Sequence, residues 1–187
     1  MNREEMMNFL RQYLTSEHLI KHSLAVEAVM KRLAEHFNVK DMELWSKTGL
    51  LHDLDADMVN YEVNPHLHGP ETVRILKEKG IGNEDMYHAI LSHNMITNIP
   101  RISTLDKALF SADPITGFIT AVTLVRPDKR IDSVQVKSVK KKVKDKGFAA
   151  GANRDAMKSI EALDLAFDDF IQLSLDAMKE IHEKLEL

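Results

Sequence analysis

Hydrophobic residues recur every three or four positions along most of the chain, a spacing that predicts amphipathic α-helices. The first dozen residues show this spacing, and a longer stripe predicts a second helix from about His18 to Phe37. The same spacing, with candidate capping residues, predicts further helices from Asp41 to Leu51, from just after His68 to Gly80, from Asn83 to His93, from Ser103 to Asp113, from Ile115 to Val125 and from about Asp164 to Leu185. No segment shows the pattern of a convincing strand. The sequence therefore predicts an all-α fold, a single-domain helical bundle.

Two positions in these helices carry specific structural expectations. Gly49 lacks a Cβ atom, so it permits the close approach of a neighbouring helix. Pro114 suits the first position of a helix, and Asp113 before it would then be a natural N-cap. The sequence thus predicts a break between two helices at Asp113 and Pro114.

Composition narrows the class of protein. The 187 residues fit one domain, and 44% hydrophobic residues with only five prolines and seven glycines fit a helical globular protein. The absence of cysteine excludes disulfides, thiolate metal sites and a cysteine nucleophile. The polar N-terminus does not resemble a signal peptide, and the apolar run from Ile115 to Val125 is shorter than the ~20 residues that cross a bilayer. We therefore expect a cytoplasmic protein with no membrane partner.

Charge is distributed unevenly. The formal net charge of −4 argues against a general nucleic-acid-binding module, although lysines are dense between Val136 and Arg154. The plainest interpretation of this run is a solvated helix face. The alternatives are an electropositive rim that attracts a phosphorylated substrate, or a nucleic-acid contact. The lack of interleaved aromatic residues makes the nucleic-acid contact the least favoured of the three.

The strongest chemical signal is an apolar helix end that leads directly into a histidine and three carboxylates, Leu50-Leu51-His52-Asp53-Leu54-Asp55-Ala56-Asp57. By itself the segment fits a solvated helix end as well as it fits a metal site. His22 falls inside the apolar stripe of the second helix, where a hydrogen-bonded core histidine is the more common explanation. However, His22, the His52-Asp53 pair and Asp113 each lie on an inward face or at an end of a different predicted helix. Helical bundles build metal sites in this way.

The donor set restricts the kind of ion without identifying it. Two imidazoles and two carboxylates suit a divalent cation such as Fe, Mn, Co, Ni, Zn or Mg, and nothing in the set selects one of these.

Three segments resemble the ligand-bearing segments of the HD-domain superfamily of metal-dependent phosphohydrolases. They are Lys21-His22-Ser23-Leu24-Ala25-Val26, Gly49-Leu50-Leu51-His52-Asp53 and the stretch from Leu105 to Asp113. The resemblance covers about residues 19 to 125. It implies an HD-type helical core over about residues 18–125, with a C-terminal helical extension over about 134–187 packed on it. It also implies that His22, His52, Asp53 and Asp113 hold a metal ion.

Two further segments are similar to those of two-metal members. The stretch from His68 to Leu76 resembles their His-x-x-x-Gly-Ala segment, with Thr72 and Val73 in place of Gly-Ala, although His66 competes with His68 for the role. Ala89-Ile90-Leu91-Ser92-His93-Asn94 resembles their second histidine segment, with Asn94 where some members have another histidine. The resemblance implies one or two metal ions. If His68 and His93 are ligands, Asp53 would bridge two ions ~3.5–4 Å apart.

The chain departs from the family after His52 and Asp53. Many members have Gly-Lys or a nearby glutamate there, whereas this chain has Leu54-Asp55-Ala56-Asp57. Asp57 either substitutes for that helper as a catalytic residue beside Asp53, or is simply solvated. The region from Val125 to Arg154 resembles an uncharacterised branch of predicted hydrolases, which names no substrate.

The resemblance therefore implies a phosphomonoesterase or phosphodiesterase that uses a metal-activated water on a nucleotide or other small phosphorylated metabolite. Lys144, Lys146 and Arg154 are candidates to bind the phosphoryl group. The alternative is a non-catalytic metal- or nucleotide-binding protein of the same fold. Whether the chain forms a homo-oligomer is left open by the sequence.

Overall fold

The chain folds into ten α-helices in the part that the computed structural model describes, residues 1–61 and 63–187. Their bounds are α1 Arg3–Tyr13, α2 Glu17–His36, α3 Met42–Leu51, α4 Pro70–Glu78, α5 Glu84–His93, α6 Thr104–Leu124, α7 Val136–Lys144, α8 Arg154–Lys158, α9 Phe167–Glu180 and α10 His182–Leu185. No β-strand occurs in these residues, so the predicted all-α class is confirmed. None of the described helices combines the length and the apolar character needed to cross a bilayer.

The two longest helices, α2 and α6, form the centre of the fold. α2 packs against α3, α6 and α9, and α6 packs in addition against α5 and α8. One hydrophobic core runs through the described chain from Met6 in α1 to Leu185 in α10. Burial of each large aliphatic side chain in such a core contributes about 1.5–3 kcal/mol, so the apolar stripes of α2 and α6 supply much of the driving force for folding.

The predicted break between two helices at Pro114 is wrong, because α6 continues through it as one helix. Proline in a helix interior removes one hydrogen bond and crowds the carbonyl four residues earlier, at a cost of about 3 kcal/mol. Burial of Leu109, Ile115 and Phe118 on both sides of the proline outweighs that cost. Asp113 is therefore not an N-cap, and its carboxylate is available for other contacts.

Gly49 lies where α3 crosses α2 at close range. A Cβ atom at this position would lie 2.9 Å from the carbonyl oxygen of Val26 and 3.0 Å from the Cα of Glu27. These are backbone atoms of a central helix and cannot easily move aside. The predicted role of Gly49 in a close helix contact is confirmed.

Asp57 joins the segment after α3 to the start of α2. Its carboxylate accepts hydrogen bonds from the backbone N–H groups of Thr15 and Ser16, at 2.7 and 2.9 Å, and from both hydroxyls. The hydrogen bonds from Ser16, followed by those from Thr15, lower the pKa of the Asp57 carboxyl to about 2. The assignment of Asp57 as a catalytic residue is therefore corrected: its oxygens are taken up in holding the start of α2.

We predict that Gly49→Ala lowers the free energy of unfolding by about 1–3 kcal/mol, because the added methyl group overpacks the contact between α3 and α2. Urea unfolding followed by circular dichroism measures this change. Gly117→Ala is the matched control, since no atom lies within 4 Å of a Cβ there. The control should be neutral or more stable by up to about 1 kcal/mol. Equal losses in the two variants would contradict the close contact.

We predict that Asp57→Asn lowers stability near pH 7 by about 1 kcal/mol or less, and that the difference disappears in acid. The folded-state pKa of about 2 lies below the ~3.9 of an unfolded aspartate, so the contribution of Asp57 is complete above pH ~5. It is lost as the pH falls through about 4 toward 2.

Urea titrations at several pH values between 2 and 7 measure this difference. Asp155→Asn is the control, because Asp155 is exposed and its side chain makes no hydrogen bond to the described residues. A stability difference for Asp57→Asn that stays constant with pH would contradict the prediction.

Candidate metal centre

Six side chains from five separate helical regions meet at one point in the fold. His22 comes from α2, His52 and Asp53 from the end of α3, His68 from the segment before α4, His93 from the last turn of α5 and Asp113 from the middle of α6. These are the six residues predicted as metal ligands, and the structure brings all six together. We call them the His/Asp cluster.

Asp53 lies at the centre of the cluster. Its Oδ1 is 3.2 Å from Nε2 of His52 and 3.4 Å from Nε2 of both His68 and His93. Its Oδ2 is 3.6 Å from Nε2 of His22. One carboxylate therefore faces four imidazoles through the same ring nitrogen.

Asp113 closes the cluster on the side of α6. Its Oδ1 lies 3.1 Å from Nε2 of His22 and 4.0 Å from Nε2 of His52. About a third of its side chain is exposed, whereas that of His52 is fully buried. Asp113 is thus the member of the cluster with the most access to solvent.

Backbone carbonyls fix two of the imidazoles. Nδ1 of His52 lies 2.8 Å from the carbonyl oxygen of Gly49, and Nδ1 of His93 lies 2.5 Å from that of Ile90. A carbonyl oxygen only accepts, so each Nδ1 carries the proton and donates it. When these imidazoles are neutral, each Nε2 presents a lone pair to the cluster. This is the tautomer that metal-binding histidines use.

Asp55 fixes the third imidazole, and sequence reasoning gave it no role. Its buried carboxylate accepts from Nδ1 of His68 at 2.8 Å and from the backbone N–H groups of Gly69 at 2.7 Å and Thr72 at 3.2 Å. The start of α4 is thereby held against the cluster, with His68 oriented toward it. The three closely spaced carboxylates at 53, 55 and 57 were the available signal, since the carboxylates of an irregular segment after a helix can face different partners.

Some polar atoms of the cluster lack a hydrogen-bond partner among the described residues. Nε2 of His52 and Oδ1 of Asp53 are buried and have no hydrogen-bond partner among the described residues. Nε2 of His68 lies 3.1 Å from Nε2 of His93. Two nitrogen lone pairs at this distance repel, so a proton or a metal cation must lie between them. Buried groups of this kind are normally satisfied, and a cation satisfies all of them together.

The spacing of the ligand atoms fits metal coordination. Three groups within the cluster have ligand atoms that all lie within 4.8 Å of one another. They are His22–His52–Asp53, His52–His93–Asp113 and Asp53–His68–His93. Atoms about 2.1 Å from a shared ion lie roughly 3.0–3.4 Å apart, close to most of the distances observed here. The residues present therefore fit a divalent cation.

The electrostatics of the cluster favour added positive charge. Burial lowers the pKa of His93, but the ionised carboxylate of Asp53, 3.4 Å from its Nε2, outweighs burial and raises that pKa to about 9. Burial raises the pKa of the Asp53 carboxyl, but the nearby imidazoles of His52, His93 and His68 outweigh burial and hold the pKa well below its usual range. The carboxylates stay ionised, so they attract either protons on the histidines or a metal cation.

The cluster opens into a cleft of about 450 Å³. Asp53, His68, His93 and Asp113 line its base. Side chains that were not predicted from the sequence line the rest: Tyr61, Asn94, Met95, Ile96, Phe110, Pro114, Asn153 and Ala156. A small ligand in the cleft therefore reaches the cluster directly.

The three predicted phosphate-binding cations do not line this cleft. Lys144 and Lys146 are exposed at the end of α7 and in the turn after it. The guanidinium of Arg154 donates to five backbone carbonyl oxygens, those of Val143, Asp145, Phe148, Ala149 and Ala152. Because arginine has five N–H donors, none is left for a phosphate. The assignment of Arg154 to substrate is corrected: it holds the loop after α7.

Two other histidines, His66 and His88, lie outside the cluster. His66 is exposed in the turn before α4, while His68 contacts Asp53, so the structure favours His68 over His66. His88 instead pairs with the buried Asp106, whose Oδ2 lies 2.9 Å from its Nδ1.

Comparison with known proteins agrees with this geometry. The family model described as "HD domain" matches residues 19–117, just over half of the chain. Searches of curated proteins and of solved structures find no match. The matched range begins in α2 and ends in α6, so it contains all six residues of the His/Asp cluster. The chain therefore belongs to the HD-domain superfamily of metal-dependent phosphohydrolases.

Proposed function

We propose that this protein is a phosphomonoesterase or phosphodiesterase that acts on a nucleotide or another small phosphorylated metabolite and depends on one or two divalent metal ions. The observation that carries the proposal is that four members of the His/Asp cluster line an open cleft. Purely structural metal sites are closed by protein ligands, whereas catalytic sites keep a position open to substrate.

Two sets of ligands share Asp53. His22, His52 and Asp113, with Asp53, would hold one ion, and His68 and His93, again with Asp53, would hold a second. A divalent cation in such a site would supply Lewis-acid charge and would lower the pKa of a water molecule from its bulk value toward ~7. The shared carboxylate favours two ions, although the donor set does not identify the metal.

The aspartates of the site would have different roles in the reaction. Asp113 is ionised and partly exposed to the cleft, so its carboxylate is placed to orient a water molecule or to accept a proton from it. Burial raises the pKa of Asp113, but the hydrogen bond and charge of His22 outweigh burial and lower it. Asp53 faces four imidazoles and acts chiefly as a ligand. Asp55 keeps His68 in position from behind.

A non-catalytic metal- or nucleotide-binding protein is the second candidate. One observation favours it: in the described part of the segment after Asp53, Asp57 is committed to α2 and Asp55 to His68, so neither carboxylate is available as an acidic helper. Bound metal without turnover of any phosphoester would support this alternative.

We predict that Asp53→Ala abolishes metal binding and hydrolysis together, because it removes the carboxylate that all four imidazoles face. The measurements are the metal content of freshly purified protein and the hydrolysis of bis-p-nitrophenyl phosphate and a panel of nucleotides and sugar phosphates. His68→Ala should lower both quantities, while the matched control His66→Ala should leave both unchanged. Full activity of metal-free Asp53→Ala would refute the proposal.

We predict that Asp55→Asn weakens metal binding about 10–100-fold, as loss of a carboxylate behind a metal-binding histidine typically does. Competition with a chromogenic chelator measures the dissociation constant. Asp57→Asn is the control, since that carboxylate faces α2, and its metal affinity should match the wild type. Equal affinity in Asp55→Asn and the wild type would show that His68 does not need this partner, or does not bind metal.

A further inference from the structure

Exposed apolar side chains surround the mouth of the cleft. Tyr61, Met95 and Ile96 are about half exposed, at 53%, 54% and 49%, and all three line it. Phe110 and Pro114 of α6 complete the apolar lining. We call these five residues the apolar collar. Six of the eleven exposed large hydrophobic side chains of the described residues lie in residues 58–61, 63–67 and 95–96, which we call the collar segments.

The collar is held at a fixed place relative to the His/Asp cluster. The side-chain amide of Asn94 donates to the carbonyl oxygens of Pro65 at 2.7 Å and His68 at 3.0 Å, which joins the two collar segments. The ring of Tyr61 packs edge-on against the ring of His68, with centroids 5.6 Å apart. An apolar group beneath the collar would therefore lie directly beside the metal ligands.

The charge of the lining restricts the ligand further. No lysine or arginine among the described residues lines the cleft. Arg101, which precedes α6, stacks its guanidinium 3.9 Å from the ring centroid of Phe110 and donates to the carbonyl oxygen of Ser92. Sites that bind several phosphates use several cations or backbone donors to neutralise them. Here the metal centre alone offers that charge, which suits a single phosphate group.

We propose that the substrate is amphiphilic, with one phosphate ester at the His/Asp cluster and an apolar alkyl or aromatic group beneath the apolar collar. This inference rests on the proposed function and narrows its substrate class. The cleft volume of about 450 Å³ lies within the range of small-molecule sites. The apolar group of the substrate would then cover apolar side chains that are otherwise exposed to water.

A chain-length series tests the inference on the full-length, metal-loaded protein. The substrates are p-nitrophenyl alkyl phosphodiesters from methyl to hexyl, below their micelle concentrations, so the leaving group stays constant while the apolar arm grows. We expect kcat/KM to rise about two- to fourfold with each buried methylene, and ATP to be a poorer substrate than the hexyl diester.

Paired variants assign the effect to the collar. Met95→Ser and Ile96→Ser should flatten the dependence of kcat/KM on chain length, because they should lower kcat/KM for the hexyl diester more than for the methyl diester. Ile102→Ser is the matched control, because Ile102 is 70% exposed and does not line the cleft. Its chain-length dependence should equal that of the wild type.

Three outcomes would overturn the inference. They are a flat chain-length series with measurable hydrolysis, a preference for ATP over the hexyl diester, and tight binding to phosphatidylcholine vesicles with a flat series. The last would make the collar a membrane contact instead.

A binding measurement separates failure of the inference from failure of the proposed function. Should no diester be hydrolysed, calorimetry with ethyl and hexyl phosphate still tests the collar. A Kd at least tenfold lower for hexyl phosphate would support the collar as an apolar subsite without turnover. Equal Kd values would overturn it.

Discussion

The charged groups at the centre of the bundle depend on a positive charge that compensates the burial of their carboxylates. A buried carboxylate faces four imidazole nitrogens at 3.2–3.6 Å, and some of these atoms have no partner within the described protein. Burial of unpaired polar groups normally costs several kcal/mol. By itself the cluster would therefore destabilise the helical core. The arrangement is favourable when positive charge lies among the ligands. Both the packing of the helices around the site and the chemistry of the site therefore depend on Asp53.

The rest of the fold positions that carboxylate and its neighbours. Gly49 lets α3 cross α2 closely, which brings the end of α3 to the level of His22. The unbroken course of α6 places Asp113 opposite it. Asp55 orients His68, and Asp57 holds the start of α2. Acidic residues two positions apart thus serve a ligand and a helix terminus, and neither is merely solvated.

Sequence reasoning predicted the helical class and the approximate bounds of α1 to α5, because helical periodicity is a local signal. The six members of the cluster were predicted from inward-facing positions and from the resemblance to the ligand-bearing segments of the family. Sequence reasoning failed where tertiary packing decides. The break expected at Pro114 does not occur, since burial on both sides of the proline outweighs its lost hydrogen bond. Arg154 was assigned to substrate by its charge, but the folded loop takes all of its donors. Asp55 was missed because its partners lie 13 to 17 residues away, and the collar because exposure of apolar residues is a property of the folded surface.

The separation of the cluster residues along the chain has a consequence for the stability of the protein. Its members lie as far apart in the chain as residues 22 and 113, and the chain has no cysteine to make a covalent link across such a span. A cation held by both would act as a cross-link that forms only in the native state. Each tenfold rise of free cation above its Kd would then add about 1.4 kcal/mol to the free energy of unfolding. The cellular supply of metal would thereby set the lifetime of the protein as well as its activity.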